Sequence, residues 1–309
     1  MQQPPDWSQL SNQLINGDAR ALARCLSLVE NEVNGYFNFL AALPQRTGGR
    51  ITGITGPPGA GKSTLTNVLL KHMVAAGRKV AVFCVDPSSP FTRGAVLGDR
   101  IRMGEWYTHS QVFIRSLSSR GTMGGLHPKI MECTTVCLAA GYNHILIETV
   151  GVGQSEVEIA GLADTTVVVL VPEAGDEVQT MKAGLMEVAD VFVVNKGDRP
   201  EADKFVRALQ AMLAPAFSRQ QQTVPILKTV ATTGQGVDAL YQALHQKIAL
   251  RKNEAALLTD RAWVMISNHR MKNLSRPALM QAIEQNMQQP DWNFYRFVNS
   301  YLSPAQQAD

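Results

Sequence analysis

The spacing of apolar residues divides the chain into three stretches. Over residues 6–43, Leu10, Leu14 and Ile15, then Ala21, Leu22, Cys25, Leu26 and Val29, recur at the three- and four-residue spacing of a helix face. Asn16-Gly17-Asp18 interrupts this pattern, which predicts a helical hairpin or short bundle. From Arg50 the pattern changes to short apolar runs alternating with helical ones. Strands are predicted at 51–55, 80–85, 112–115, 144–148, 165–171, 191–195 and 225–230, and helices at 63–76, 128–140, 179–189 and 202–213. Alternation of this kind predicts an α/β fold: a mostly parallel sheet covered by helices on both faces. Past residue 250 the stretch RKNEAALLTDRAWVMISNHRMKNL reads as a helical arm, ahead of a polar, Gln-rich end. The expected organisation is an N-terminal helical extension (1–47), a central sheet domain (48–249) and a C-terminal helical arm (250–309).

One of the predicted strand-to-helix junctions carries chemistry. In RITGITGPPGAGKSTL, Gly56 and Gly61 bracket four residues and Lys62 and Ser63 follow, a complete match to the phosphate-binding loop G-x-x-x-x-G-K-[ST]. Glycines allow backbone N–H groups to turn inward as an anion nest, and the helix after them adds the positive end of its dipole. Pro57 and Pro58 stiffen the turn without removing the donors expected from Gly59 and Ala60 onward. Lys62 can reach the β- and γ-phosphates, the Ser63 hydroxyl can ligate Mg²⁺, and Thr64 completes the cradle.

In a parallel sheet, ligands bind outside the carboxyl ends of the strands, so the residues ending each strand matter. The second strand ends in Asp86, with Asp99 farther along the same loop. The fourth ends in Glu148-Thr149-Val150-Gly151, where a carboxylate can hold a metal-bound water while the Gly151 N–H reaches a γ-phosphate. The sixth runs into Asn195-Lys196-Gly197-Asp198, the N-K-x-D pattern that reads guanine, because the Asp198 carboxylate accepts from N1–H and the 2-amino group that adenine lacks. The seventh leads to Ala231-Thr232-Thr233-Gly234, whose backbone N–H groups can meet guanine O6.

Composition narrows the partners. The chain has 309 residues, 45% of them hydrophobic, enough for one large core with helical additions. The net charge of +3, from 29 basic and 26 acidic residues, shows no nucleic-acid or membrane footprint. Cys25, Cys84, Cys133 and Cys137 are too scattered for a disulfide framework, so a reducing compartment is expected. The start MQQPPDWSQL lacks the basic and apolar regions of a signal peptide, and no apolar run reaches the length of a membrane span. Cytoplasm is the expected location.

The phosphate loop, VDPSSPFTRGAVLGDRIRM, ILIETVGVGQSEVEIAGLADTTVVV and MKAGLMEVADVFVVNKGD together resemble the MeaB/ArgK family of P-loop GTPases. These are the G-protein chaperones of adenosylcobalamin-dependent methylmalonyl-CoA mutase. The resemblance covers roughly residues 10–250. It implies a homodimeric GTPase that uses GTP/GDP and Mg²⁺, binds its mutase or a related acyl-CoA mutase, gates loading of the cobalamin and protects or reactivates the mutase. It assigns Lys62 to phosphate, Ser63 to Mg²⁺, and Asp86, Asp99 and Glu148 to the surroundings of the ion and its waters. Asn195, Lys196 and Asp198 become the base readers. Residues 172–182 resemble the extra switch through which the family communicates with its mutase, and the C-terminal arm corresponds to its dimer contact.

Two other functions use similar motifs. A phosphotransferase acting on protein or small molecules, as the ArgK name suggests, would need a base for an acceptor hydroxyl, and none stands out. A metallochaperone GTPase would need metal at Cys133 and Cys137, four apart on a predicted helix, yet no His or further Cys lies near them in sequence. Core packing is the simpler role for that pair, and His127 reads as a helix-start residue. One absence bears on rate. Gly151 is followed by Val152, where Ras-like GTPases have a Gln to orient water, and Gln154 lies two residues later, so hydrolysis should be slow without a partner.

Overall fold

This computed structural model of the chain describes residues 5–44, 48–86, 103–119, 126–150, 155–174, 189–220, 224–247, 254–271, 274–289 and 292–302. Its strands are β1 (Arg50–Thr55), β2 (Val80–Asp86), β3 (Val112–Ser118), β4 (His144–Glu148), β5 (Thr165–Leu170), β6 (Val191–Val194) and β7 (Ile226–Lys228). Its helices are α1 (Trp7–Ile15), α2 (Ala19–Glu30), α3 (Tyr36–Ala42), α4 (Lys62–Ala75), α5 (Ile130–Ala139), α6 (Ser155–Leu162), α7 (Ala202–Gln220), α8 (Val237–Lys247), α9 (Glu254–Arg270), α10 (Arg276–Asn286) and α11 (Phe294–Leu302). The strands form one seven-stranded sheet of order β3-β2-β4-β1-β5-β6-β7, every pairing parallel.

Burial on both faces explains why these segments are strands. In β2, Val80, Val82 and Cys84 share a core with Leu65, Leu69, Leu70 and Met73 of α4 and Val237, Leu240 and Leu244 of α8. The intervening Ala81, Phe83 and Val85 belong to the opposite core, with Ile130, Cys133, Val136 and Cys137 of α5 and Ile159 and Leu162 of α6. Alternate side chains leave a strand on opposite faces, so a strand covered on both sides must be apolar throughout. Helix α7 packs Phe205, Leu209 and Leu213 onto Val168 and Leu170 of β5 and Phe192 and Val194 of β6. Two aspartates secure the opposite, N-terminal ends of the strands: Asp164 Oδ2 accepts from the Ile51 N–H and Asp190 Oδ2 from the Thr166 N–H, each at 2.8 Å.

The N-terminal helices join the same core as the sheet. Asp6 and Asp18 cap α1 and α2, and the stripe Ala21, Leu22, Cys25, Leu26 and Val29 is wholly buried. Gly17, with φ of 84°, makes the break between them. A third helix, α3, was not legible in the sequence pattern. It is held by Trp7, whose ring stacks on Phe39 at 4.7 Å and whose Nε1–H donates to Asn34 O at 2.9 Å. Partly buried ion pairs complete the attachment. Arg115 of β3 donates to Glu30 and, at 3.0 Å, to Ser27 Oγ. Lys129 pairs with Glu32 at 2.7 Å and Glu132 at 3.1 Å. Burial alone would lower the Lys129 pKa, but Glu32, Glu132 and the Tyr36 hydroxyl outweigh it and hold the ammonium well above its usual value.

Several predicted boundaries shift. Strand β3 runs three residues past the predicted 115, because it pairs with β2 as far as Asp86↔Ser118. Strand β7 is shorter than 225–230, and α7 extends beyond 213 to Gln220. The helix predicted at 179–189 falls almost wholly outside the described residues. By internal contacts the chain divides into one unit of residues 1–260 and a second of 261–309. In the second unit Ser275 caps α10, and α10 buries no residue. Trp263 is 72% exposed and Tyr295 79%. Among the described residues no helix is long and apolar enough to cross a membrane.

His144 opens β4 beside His245, with ring centroids 6.1 Å apart. Burial lowers its pKa, and Arg78, His245 and Arg50 lower it further, to about 4 from the usual 6.5. The folded pKa lies below the unfolded one, so the folded state prefers the neutral ring. Its contribution to stability is complete above about pH 6.5 and is lost as pH falls towards 4. Urea unfolding should therefore show a stability loss on the order of 1–2 kcal/mol between pH 7 and pH 5. His144→Gln, with no charge to gain, should flatten that dependence.

Candidate phosphate and base site

Strand β1 lies between β4 and β5, and the loop that follows it begins at the carboxyl edge of all three. Gly56 turns the chain with φ of 135°, and a Cβ there would stand 2.0 Å from the Val169 carbonyl oxygen of β5. Only glycine fits that approach. Gly61, with φ of 87°, precedes the first turn of α4. Lys62 is buried, and its ammonium donates to Gly56 O at 2.8 Å and Pro57 O at 3.1 Å. The side chain thus arches over its own loop, and an anion entering the nest would compete with two carbonyls for it.

The next residue faces β4. Ser63 Oγ donates to Glu148 Oε1 at 2.6 Å, within the buried space between α4 and the end of β4. One turn later, Thr66 Oγ1 lies 3.3 Å from Glu148 Oε2 and 2.9 Å from Lys62 O. Asp86 is also buried, two residues beyond Cys84, which is in register with Glu148. Thr149 Oγ1 donates to Thr55 Oγ1 at 2.9 Å and ties the ends of β4 and β1 together. Ser63, Asp86 and Glu148 are hard oxygen donors at 6%, 4% and 3% exposure, the ligand type that Mg²⁺ prefers. A serine hydroxyl that gives its proton to a carboxylate keeps its lone pairs for a cation, so these residues fit the ion that the fold implies.

On the other side of the loop stands Asn195. Its Nδ2 donates to Ala60 O at 2.8 Å, and its Oδ1 accepts from Thr229 Oγ1 at 3.1 Å and from the Ala231 N–H at 3.0 Å. One amide thus connects the phosphate loop, the end of β6 and the loop after β7. That last loop is closed by paired Val230 and Gln235, with Gly234 and Gly236 at positive φ. Lys196 has φ of 56°, unusual for a residue with a side chain, and the Gly197 N–H donates to Thr229 O at 2.8 Å. Asp198 and Thr232 are exposed beside this frame, and Arg199 forms an ion pair with Glu173, in the 3₁₀ turn Pro172–Ala174 after β5.

The structure therefore brings Gly56 through Thr64, Asp86, Glu148, Asn195, Lys196, Asp198, Ala231 and Thr232 to one edge of the sheet. Asp99, Gly151, Val152, Gln154 and most of 172–182 lie outside the described residues. His127 takes the helix-start position, its Nδ1 accepting from the Lys129 N–H at 3.0 Å just before α5. Cys133 and Cys137 are buried core residues, and burial pushes both thiols well above their usual pKa. Sequence reasoning missed Thr66 and the bracing role of Asn195. The three-residue step from Ser63 to Thr66 on one helix face was the available signal for the first. Asn195→Ala would strand the Ala60 carbonyl and the Ala231 N–H, a loss of about 2–3 kcal/mol for buried groups left unpaired. The nucleotide-free variant should melt several degrees below wild type, whereas Asp198→Ala, at an exposed position, should not. An unchanged melting temperature for Asn195→Ala would show that the amide braces nothing.

Comparison with known proteins identifies the family. The family described as methylmalonyl Co-A mutase-associated GTPase MeaB matches residues 22–288. A Pyrococcus horikoshii protein, named only provisionally as a GTPase, is 40% identical over 99% of this chain and 97% of its own. The mouse methylmalonic aciduria type A homolog, a mitochondrial protein by name, is 34% identical over 78% of this chain and 64% of its own. A crystal structure described as a LAO/AO transport system kinase has the same fold, with a TM-score of 0.65, 24% identity and 96% coverage of both chains. With its phosphate loop, all-parallel sheet and a family match over most of its length, the chain belongs to the MeaB family of GTPases.

Proposed function

We propose that this chain binds GTP and GDP with Mg²⁺, hydrolyses GTP, and acts as a cytoplasmic, GTP-gated chaperone of an adenosylcobalamin-dependent methylmalonyl-CoA mutase. The observation that carries the nucleotide half is the Asn195 amide, which hydrogen-bonds the N-K-x-D segment to the phosphate cradle and to the loop after β7. A nucleotide held at both ends needs such a link. In this reading Gly56 to Thr64 cradle the phosphates, Lys62 leaves its loop carbonyls for the phosphate oxygens, and Asp198 accepts from guanine. Ser63 and Glu148, with Asp86 and Asp99, hold Mg²⁺ and its waters. When bound, the ion neutralises charge developing on the transferred phosphate.

The mutase half is supported by the family's name and by that of the mouse relative. Gating would run through the segments around Gly151 and after Pro172, through which a partner can favour one nucleotide state. Reciprocity then requires the partner to bind that state more tightly. Homodimerisation through 250–309 is supported by the exposed Trp263, Val264 and Ile266 on α9 and by Phe294 and Tyr295 on α11.

Two measurements test the halves separately. A base site built around Asp198 can discriminate by about 10⁴-fold or more between guanine and adenine nucleotides. Calorimetry should find GTP bound and ATP not, and Asp198→Asn should exchange GTP for xanthosine triphosphate. Equal affinity for ATP and GTP would defeat the assignment. Single-turnover hydrolysis should be slow alone and rise, by up to roughly 10³–10⁵-fold, with the cognate mutase present. Unchanged turnover, with equal mutase affinity in GTP-analogue and GDP states, would remove the gating role and leave the GTPase intact.

A further inference from the structure

Thr66 is fully buried on α4, three residues after Ser63 and on the same side of the helix. Between them the two hydroxyls meet both oxygens of one buried carboxylate, Ser63 at Glu148 Oε1 and Thr66 at Oε2. A carboxylate held through one oxygen can roll about its terminal bond, because such sp³–sp² torsions are broad. Hydroxyls of one helix at both oxygens restrain that roll. That helix begins in the phosphate loop, so the plane of Glu148 is referenced to the cradle itself.

We propose that Thr66 is a positioning residue: it fixes the plane of the Glu148 carboxylate so that the Ser63 hydroxyl, its proton directed to Oε1, presents its lone pairs to Mg²⁺. This rests on the nucleotide reading above and deepens it. Loss of an outer partner that orients a ligating group typically costs about 10–100-fold in metal affinity or activity. The plainer description of Thr66 is a threonine hydroxyl bonding back to the carbonyl four residues earlier, here Lys62 O at 2.9 Å, which is common in helices. The hydroxyl has one proton for the two acceptors. Back-bonding alone predicts no response to metal, and positioning does.

The test compares the full wild-type chain with Thr66→Val and Thr66→Ser. GDP affinity is measured by calorimetry in EDTA and across a Mg²⁺ titration, beside steady-state kcat and KM for GTP. Valine preserves the shape of threonine without its hydroxyl. Thr66→Val should bind GDP like wild type in EDTA yet need about tenfold more Mg²⁺ for the half-maximal gain in affinity, the lower end of the range for lost outer partners. Its kcat should fall while KM stays near wild type, and Thr66→Ser should restore both the Mg²⁺ midpoint and kcat. An unchanged Mg²⁺ midpoint in Thr66→Val would overturn the proposal. So would a Thr66→Ser as impaired as Thr66→Val, because the methyl group would then be what matters. If valine prevents folding, Thr66→Ala takes its place in the same comparison, and the same two results would overturn the proposal. Failure of the wild-type chain to bind GDP at all would instead defeat the nucleotide reading, an outcome separate from both.

Discussion

Three segments distant in sequence meet on the side chain of Asn195, and the shape of the site depends on that meeting. An amide is both donor and acceptor. Asn195 uses the first function on Ala60 O and the second on Thr229 Oγ1 and the Ala231 N–H. Aspartate has no proton to offer Ala60 O, and alanine would leave the Ala231 N–H without this partner, so neither could do the same. The constraint reaches back into the phosphate loop. Gly61 has no Cβ partly because the Asn195 Nδ2 stands 2.3 Å from where that atom would be. A glycine usually explained by backbone conformation is here required twice, by φ and by packing.

Strand order supplies the other half of the geometry. With β1 between β4 and β5, the loop after Thr55 meets the Val169 carbonyl on one side and Glu148 on the other. Ser63 and Glu148 are 85 residues apart in the chain, yet they share a 2.6 Å hydrogen bond. A hydrogen bond shielded from water is electrostatically stronger than one in water. The loop is thereby clamped from both flanks, Glu148 reaching α4 and Asn195 reaching Ala60. Within that clamp Lys62 holds two loop carbonyls that a phosphate can replace.

What the amino-acid pattern revealed, and what it hid, follows from how local each cause is. The phosphate loop, the N-K-x-D segment and the buried strands depend on short runs of residue types, and each was legible. Strand β3 was cut short at Arg115 because Arg115, Ser116 and Ser118 are polar, but pairing with β2 carries it on and Glu30 of α2 takes up the charge. Tertiary context outweighs strand propensity there. Helix α3 has only seven residues, too few for a periodic signal, and Trp7 stacked on Phe39 helps hold it. Asn195 was read as a base contact because its motif says so. Its bonds to Ala60 and Ala231 exist only once β6, β7 and the phosphate loop are side by side.

The two ends of the sheet show why the candidate site is not simply where the strands stop. At the N-terminal ends of the strands, the partly buried Asp164 and Asp190 accept from the backbone N–H groups of Ile51 and Thr166. At the carboxyl ends, Lys62, Ser63, Thr66, Asp86, Glu148, Thr149 and Asn195 are all buried, which places one cation, two carboxylates, three hydroxyls and an amide in a small volume. Polar groups withdrawn from water destabilise a fold unless each finds a partner, and charged groups do so most. Apolar residues of similar volume would make a more stable strand edge. A fold that concentrates its buried charge and hydroxyls at one edge, around glycines required by positive φ and close packing, is balanced for a ligand that brings charge of its own.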